Sequence, residues 1–331
     1  MPKCDVGHRA GQIWYDGRLV SWNEAEVHVL SHSLHYGSAV FEGERVYGGR
    51  IFKLSAHTER LIASAAHIGI ACPFDQAILE AATRAVVAAN AISDGYIRPL
   101  CWLGDGVAGL SGGRCPVHVA ITAWEWPYAF APSALADGIR LMVSPWRRPP
   151  PQSAPYQAKA AGLYLAGMMS QRLAEARGYD DALMLDYRGL VAEAACANLF
   201  MVRGGTVITP VADCILAGIT RATVLQLARS LGYPVEEHQV TLEQLKGSDE
   251  VFLTGTAYEI TPVRSIDDTT YRVGAVTRAL IGAFQQLVRR RHADDASRLP
   301  AQQERRVRAA APSRVLLNER TAEPHKAQLG A

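Results

Sequence analysis

Gln12-Ile13-Trp14-Tyr15 and Arg18-Leu19-Val20 are separated only by Asp16-Gly17, and Arg45-Val46-Tyr47 and Arg50-Ile51-Phe52 only by Gly48-Gly49. A two-residue link of this composition closes an antiparallel pair, because these residues accept the positive φ that the favoured hairpin turns need. The first part of the chain therefore builds a sheet from hairpins. Two helices are interleaved with it. Leu61, Ala65 and Ile68 share one face of a helix capped by Ser55 and stopped by Gly69, and Asp75 caps a second over residues 74–89. Strand signals follow over 96–103 and 117–123. Residues 1–126 read as a small α+β domain.

At ~150 residues per domain, 331 residues suggest about two domains. Residues 127–138, with Pro127, Pro132 and Gly138, read as the connection. A strand is expected over 139–143, and Pro149-Pro150-Pro151 breaks regular structure. A helix is expected over 158–177, ending at Gly178, and strands over 181–186, 190–193 and 199–202. Helix 220–231 ends at Gly232, strands cover 250–254 and 259–263, and a last helix covers 276–287. Residues 139–290 form the second domain in this reading. Residues 291–331 carry eight basic and five acidic side chains in a polar, weakly patterned stretch, which reads as a flexible tail.

Composition excludes several classes. The chain is 49% hydrophobic and 20% charged, too apolar for bulk disorder. The net charge of +2 gives no footprint for nucleic acid. No apolar run reaches the ~20 residues of a membrane-spanning helix, and residues 1–17 hold no apolar signal segment. Cys4, Cys72, Cys101, Cys115, Cys196 and Cys214 form no CxxC pair and read as reduced thiols, so a cytoplasmic location is expected.

Lysine is scarce, with only Lys3, Lys53, Lys159, Lys246 and Lys326 against 29 arginines. Lys159 alone sits among small apolar residues, Ala158 to Leu163. Desolvation and a helix N-terminus would lower its pKa, which is what a Schiff-base lysine requires. A snorkelling surface lysine suits the same context. Leu216-Ala217-Gly218-Ile219-Thr220 opens a helix whose free N–H groups and Thr220 hydroxyl make an anion site, or an ordinary N-cap. Thr254-Gly255-Thr256 follows a strand and offers further donors, or a plain turn. Glu193 lies in the apolar run Leu190 to Ala195 and needs a partner unless it faces solvent from an edge strand. A reactive lysine, two phosphate cradles and a buried acid together describe a site for pyridoxal phosphate.

The motif series resembles the fold-type IV pyridoxal-phosphate enzymes, most closely the branched-chain amino acid aminotransferases, over roughly residues 8–290. It consists of Leu34-His35-Tyr36-Gly37-Ser38-Ala39-Val40-Phe41-Glu42-Gly43, His57-Thr58-Glu59-Arg60-Leu61, Tyr96-Ile97-Arg98-Pro99 and Ala158-Lys159 with Tyr164. Val191-Ala192-Glu193 with Asn198-Leu199-Phe200, Gly218-Ile219-Thr220-Arg221 and Gly255-Thr256-Ala257 with Glu259-Ile260-Thr261-Pro262 complete it. The resemblance implies a small N-terminal α+β domain and a larger C-terminal α/β barrel-like domain. It implies transamination of L-leucine, L-isoleucine and L-valine with 2-oxoglutarate, by a homodimer or larger assembly. Lys159 is then the catalytic lysine. Arg60, Leu216, Gly218, Ile219, Thr220 and Thr256 hold the phosphate end, Glu193 faces the pyridine nitrogen and Tyr164 the ring phenolate oxygen. Arg98 and Tyr36 serve a glutamate side-chain carboxylate, with Tyr96 nearby. Phe41 and Trp126 form an apolar wall, and the Thr256 and Ala257 N–H groups take the α-carboxylate.

The chain departs from the family at Ala194-Ala195-Cys196-Ala197, where relatives often carry glycines and a second Glu. Ala108, in the loop reaching Leu110, stands where many relatives carry a larger apolar residue. A difference of one methylene changes discrimination by only ~1–3 kcal/mol.

Other readings remain at this level. The fold-type IV group also contains D-amino acid and (R)-amine transaminases and aminodeoxychorismate lyases; the Phe41-Glu42-Gly43 and Tyr96-Ile97-Arg98-Pro99 segments favour the branched-chain branch. Residues 223–245 superficially resemble a helix-turn-helix DNA reader, but the second helix would hold Glu236, Glu237 and Glu243 against Lys246 alone. His28, His32 and His35 fall at spacings that metal sites use, yet Val27, Val29 and Leu30 look strand-like, which favours plain hydrogen-bonded histidines and no metal.

Overall fold

The structure, a computed structural model, describes Gly7, residues 10–126 and residues 132–289. The first sheet is built from β1 (Gln12–Tyr15), β2 (Arg18–Ser21), β3 (Ala39–Phe41), β4 (Glu44–Tyr47), β5 (Arg50–Ile51), β6 (Gly95–Leu103) and β7 (Val117–Glu125). Its order is β2-β1-β7-β6-β4-β5, with β3 also on β6, and every pair is antiparallel. The Asp16-Gly17 and Gly48-Gly49 turns close the two expected hairpins, with Asp16, Gly17, Gly48 and Gly49 all at positive φ. Helix α1 (His32–Tyr36) is short; α2 (Leu54–His67) and α3 (Gln76–Ala89) cover the sheet. Leu61, Leu79 and Val86 from these helices pack on Trp14, Val46, Ile97 and Ile121 of the sheet.

Asp75 caps α3 as expected, accepting the Ile78 N–H at 2.8 Å. Ser55 does not cap α2. The chain enters that helix through Lys53 at φ 51°, and the Ser55 hydroxyl donates instead to Glu59 at 3.3 Å. No strand forms over residues 27–30; His32 and His35 lie on α1.

After α4 (Pro132–Asp137) come β8 (Ile139–Arg148), α5 (Leu165–Ala176), β9 (Asp181–Asp186), β10 (Val191–Ala194), β11 (Asn198–Arg203) and β12 (Thr206–Pro210). These are followed by α6 (Ile219–Ser230), β13 (Val235–His238), α7 (Leu242–Lys246), β14 (Glu250–Gly255), β15 (Glu259–Ile266), β16 (Thr269–Thr270) and α8 (Ala275–Arg289). The order β10-β9-β8-β15-β14-β11 closes through the β10–β11 pairing into a six-stranded barrel, extended by β12 and β13. Strand pairs β8–β9 and β8–β15 are parallel and the other barrel pairs antiparallel. This is the fold-type IV architecture of mixed α and β that the resemblance implied. The first sheet uses residues 12–125 and the barrel sheet residues 139–270.

Period-two alternation sorts the barrel side chains onto two faces, both buried. Leu141, Leu183, Leu199, Leu253 and Val263 pack together inside. Phe200 and Phe252 point the other way and stack at 5.0 Å beneath α6 and α8, against Val224, Leu280 and Phe284.

One sequence expectation changes here, and one alternative fails. The helix predicted over 158–177 starts later: Lys159 is extended, Ala160 bridges to Val40, Ala161–Tyr164 forms a 3-10 turn, and α5 starts at Leu165. Tertiary pairing with β3 overrides the helical pattern of the alanines. The helix-turn-helix reading fails because β13 intervenes, paired in parallel with β12 through Val207↔Val235, and α7 spans five residues. The tail over 291–331 and the first part of the connection, residues 127–131, lie outside the described residues; α4 occupies most of the remainder of that connection. Among the described residues no helix is long and apolar enough to cross a membrane.

Phe252 is fully buried in a stacked aromatic pair. Phe252→Ala is expected to lower unfolding free energy by about 3–5 kcal/mol in urea titration.

Candidate active site

The Lys159 backbone lies between the two sheets. Its carbonyl accepts the Phe41 N–H at 3.1 Å, and its own N–H donates to Ser64 Oγ of α2 at 3.0 Å. The side chain enters a cavity of about 260 Å³. There Nζ donates to the Tyr164 hydroxyl at 2.8 Å and lies 4.9 Å from the centre of the Phe41 ring. The sequence reading expected a lowered pKa. Burial does act in that direction, but Tyr164 and the Glu42 charge outweigh it, and the Lys159 pKa is raised. The helix N-terminus expected to help lower it is absent, since α5 starts six residues later.

Arg60 of α2 is oriented by a buried carboxylate. Its Nε and Nη2 donate to the two oxygens of Glu42 at 2.6 and 2.9 Å, while Nη1 reaches the Ala217 carbonyl at 3.4 Å. His57 Nδ1 approaches Glu42 at 2.8 Å, and the Gly43 N–H donates to it at 3.2 Å. Burial alone would raise the Glu42 pKa, but Arg60 and His57 hold it well below the ordinary carboxylate range. Burial also lowers the His57 pKa, so the imidazole is neutral at pH 7 and the cluster's charge is the Glu42–Arg60 pair. Beside Arg60, Gly218 precedes α6, whose first N–H groups belong to Ile219 and Thr220. A side chain at Gly218 would collide with Asn198 Oδ1. Thr254 Oγ1, buried and without a hydrogen-bond partner, lines the same cavity as Thr256. A cation, a helix N-terminus and an orphaned hydroxyl fit a phosphate group.

At the acid end, Glu193 of β10 is buried. Arg148, the last residue of β8, meets Glu193 Oε1 at 3.0 Å, and Asn198 Nδ2 donates to Oε2 at 3.1 Å. Arg148 is fixed by the carbonyls of Leu163 and Ala195, and Asn198 also donates to Leu216. Burial raises the Glu193 pKa to about 7 against the opposing effect of Arg148, Lys159 and Asn198. A carboxyl in that condition suits a cationic partner such as a protonated ring nitrogen. The sequence reading did not single out Arg148; its only signal was an arginine at a strand end before a proline run.

Of the expected site residues, the cavity gathers Lys159, Arg60, Tyr164 and Glu193. It also gathers Leu216, Gly218, Ile219, Thr220, Thr256 and Ala257, with Phe41, Tyr96 and Arg98. Arg98 lies over the Phe41 ring at 4.8 Å and the Tyr96 ring at 5.4 Å, and donates to the Tyr96 hydroxyl at 3.3 Å. Its Nε is buried without a partner. Gly43 makes room for that hydroxyl, which a side chain at 43 would strike. The structure places four expected residues outside this cavity. Trp126 packs against Tyr96 at 5.0 Å. Tyr36 ends α1 and is 52% exposed; Leu110 is 77% exposed, and Ala108 is exposed with it. The histidines of the metal alternative are spent on local bonds: His28 with the Leu30 N–H, His35 with the Val29 carbonyl, His32 with Ser38 and the Gly109 and Leu110 carbonyls.

A lysine held between an anion cradle and a buried acid, at the seam of a hairpin sheet and a six-stranded barrel, defines a fold-type IV aminotransferase. Comparison with known proteins narrows the class. Residues 39–266 match the Amino-transferase class IV family. The branched-chain-amino-acid aminotransferase of Pseudomonas aeruginosa is 40% identical over 290 residues, 86% of this chain and 94% of that protein. A probable branched-chain-amino-acid aminotransferase of Rickettsia felis is 42% identical over 255 residues, 77% of this chain and 87% of that protein. The crystal structure of the T.th. branched-chain amino acid aminotransferase with pyridoxamine 5'-phosphate is 39% identical, with a TM-score of 0.83 over 86% of this chain and 96% of that one. The Escherichia coli enzyme superposes with a TM-score of 0.82 at 38% identity, over 85% and 95%. The chain belongs to the class IV aminotransferase family and, within it, to the branched-chain-amino-acid aminotransferases.

Removing Glu42, itself fully buried, leaves the half-buried Arg60 charge without its partner. Glu42→Ala is expected to cost about 3–5 kcal/mol of stability in urea unfolding.

Proposed function

We propose that this cavity is the site at which the protein transaminates L-leucine, L-isoleucine and L-valine with 2-oxoglutarate, giving the 2-oxo acids and L-glutamate. The observation that carries the reading is the 2.8 Å contact of Lys159 Nζ with Tyr164 in one cavity with Arg60 and Glu193. The cofactor is pyridoxal 5'-phosphate, which supplies, when bound, an electron-withdrawing ring and a carbonyl that exchanges for an amino group. Arg60, Ile219, Thr220 and Thr256 hold its phosphate, with Leu216 and Gly218 shaping the cradle. Glu193, braced by Arg148 and Asn198, faces the ring nitrogen, and Tyr164 faces the phenolic oxygen.

With the cofactor bound, Lys159 Nζ would be the base that takes and returns the proton at the substrate Cα, from a backbone fixed by Phe41 and Ser64. The raised pKa of Lys159 gives its neighbours a part in this transfer. The base must be neutral to accept a proton, so the charge of its surroundings sets how often it is ready. The N–H groups of Thr256 and Ala257 receive the α-carboxylate. Arg98, stacked on Phe41 and Tyr96 and with no carboxylate partner among the described residues, receives the second carboxylate of glutamate or 2-oxoglutarate, while Phe41 meets the apolar side chains.

The domain division at residues 127–138 belongs to the same proposal, as does a homodimer. Val29, Leu30, Leu34, Tyr36 and Leu110 are large apolar side chains left exposed on α1, the segment before it and the Ala108 loop. A second copy docked there would bring Tyr36, Ala108 and Leu110 to the substrate side of its partner's cavity. Sedimentation or mass photometry of the purified protein is expected to show a dimer or larger assembly.

The purified protein is expected to show the visible absorption of bound pyridoxal phosphate, and L-leucine is expected to convert it to the pyridoxamine spectrum. A response only to a D-amino acid or a simple amine would refute the substrate assignment. Lys159→Ala is expected to abolish turnover with an unchanged far-ultraviolet circular dichroism spectrum. Arg98→Ala is expected to raise KM for 2-oxoglutarate by about 10–100-fold, the worth of a charge-assisted contact, and KM for leucine far less. Equal losses would remove the dual-substrate role.

A further inference from the structure

Two buried groups, Asp181 and Tyr258, and the half-buried Cys196, at one end of the barrel, have no part in the roles above. Asp181 opens β9; Cys196 lies in the turn between β10 and β11, closed by the Ala194 N–H donating to the Ala197 carbonyl at 2.8 Å; Tyr258 lies in the turn between β14 and β15, directly after Thr256 and Ala257. The two turns are neighbours because β11 and β14 pair from Asn198↔Thr254 onward. The Tyr258 hydroxyl donates to Asp181 Oδ2 at 2.6 Å, and the Cys196 thiol donates to that hydroxyl at 3.6 Å. The other Asp181 oxygen accepts the Ala182 N–H at 2.7 Å. The Tyr258 carbonyl is fixed by the Thr261 hydroxyl at 2.6 Å. Asp181 and Tyr258 are almost fully buried, while Cys196 and Tyr258 border the cavity beside Thr256 and Ala257.

We propose that Tyr258, locked by Asp181, is the positioning residue for the Thr256–Ala257 turn, and so for the substrate α-carboxylate. The inference rests on the reading of that turn as the carboxylate site. The turn projects into the cavity and has no ladder partner of its own beyond Gly255↔Glu259. Its two N–H groups converge on one carboxylate only while the backbone is held, and the hydrogen bond from the buried Tyr258 phenol to the buried Asp181 carboxyl anchors the residue that follows them. The same phenol reaches the opposing turn through Cys196, which fixes the gap between the two walls. Arg60, the α6 N-terminus and Glu193, at the phosphate and ring-nitrogen ends, are held by separate partners, so of the cofactor contacts only that of Thr256 depends on Tyr258.

The test uses the wild-type holoenzyme, Tyr258→Phe and Asp181→Asn, each titrated with 4-methylvaleric acid, the leucine skeleton without its amino group, and followed by cofactor absorption. Retention of pyridoxal phosphate and the kcat and KM for L-leucine are measured alongside. In Tyr258→Phe, Kd for 4-methylvaleric acid and KM for leucine are expected to rise by about five- to tenfold, on the scale of the net worth of one ordinary hydrogen bond. Cofactor retention and kcat are expected to stay within about twofold of wild type. Asp181→Asn, whose amide oxygen still accepts from the phenol, is expected to show a smaller rise in the same direction, and it carries the test by the same readout if Tyr258→Phe does not fold. Unchanged carboxylate affinity overturns the inference, as does a loss of cofactor retention in parallel with carboxylate affinity, which would mark Tyr258 as general support. A wild-type holoenzyme that responds to neither 4-methylvaleric acid nor L-leucine overturns the carboxylate reading itself, and the inference with it.

Discussion

The short pairing of β3 with the segment bearing Lys159 is the contact on which the site hangs. Val40 bridges to Ala160, the Phe41 N–H is bonded to the Lys159 carbonyl, and Ser64 takes the Lys159 N–H. The N–H and the carbonyl of Lys159 are thus both satisfied by the first sheet and its helix, although the lysine follows β8 of the barrel in sequence. The pairing keeps Lys159 extended. Had α5 continued backwards through 158–164, the Lys159 carbonyl would have entered a helical bond, its N–H would have been one of the partnerless donors of the first turn, the side chain would have rotated with the helix, and β3 would have kept only its pairing with β6. The lysine is aimed by the junction of two sheets, and neither sheet alone would aim it.

Electrostatics then has to accommodate charges that burial disfavours. The two buried carboxylates of the site are each met by a cation and by further hydrogen-bonding groups: Glu42 by Arg60, His57 and the Gly43 N–H, and Glu193 by Arg148 and Asn198. The two clusters end differently. Glu42, with a cation across both oxygens, stays ionised through any physiological pH. Glu193 titrates at about 7, so its partners do not fully offset the cost of burial. Because that value lies above the ordinary carboxyl range, ionised Glu193 lowers stability progressively as pH rises from about 4.5 to 7. A cationic ring nitrogen would reverse the sign, converting an expensive carboxylate into half of an ion pair. The acid that weakens the fold slightly is therefore the one suited to recognise the cofactor.

Much of this was legible because it is local. Hairpins at Asp16-Gly17 and Gly48-Gly49, the Asp75 cap and the helix stops at Gly178 and Gly232 depend on residues within a few positions of one another, and sequence patterns report such neighbours. The motif series also singled out Lys159, Gly218 to Thr220 and Glu193, which the fold brings into one cavity. What escaped depends on pairing across distance. Arg148 reaches Glu193 over 45 residues, Glu42 reaches Arg60 over 18, and Tyr258 reaches Asp181 over 77. No periodicity announces such contacts, and an arginine or a tyrosine at a strand end looks the same whether it faces water or a buried carboxyl. The direction of the Lys159 pKa failed for the same reason: small apolar neighbours signal desolvation, but Tyr164 and Glu42, which outweigh it, come from the fold.

Tyr36, Ala108 and Leu110 show a second kind of limit. A motif states that a residue serves a pocket without stating whose pocket. His32 ties α1 to the loop through the Gly109 and Leu110 carbonyls, and none of the three residues lines the cavity of its own chain. An exposed apolar edge gains by burial against another surface at about 25 cal/mol per Å². In the proposed dimer this edge closes the partner's site. The carboxylate-binding turns and the cofactor cradle then belong to one chain and part of the side-chain wall to the other. Substrate discrimination would depend on how the two copies meet, and the small side chain of Ala108 would widen the pocket of the copy opposite.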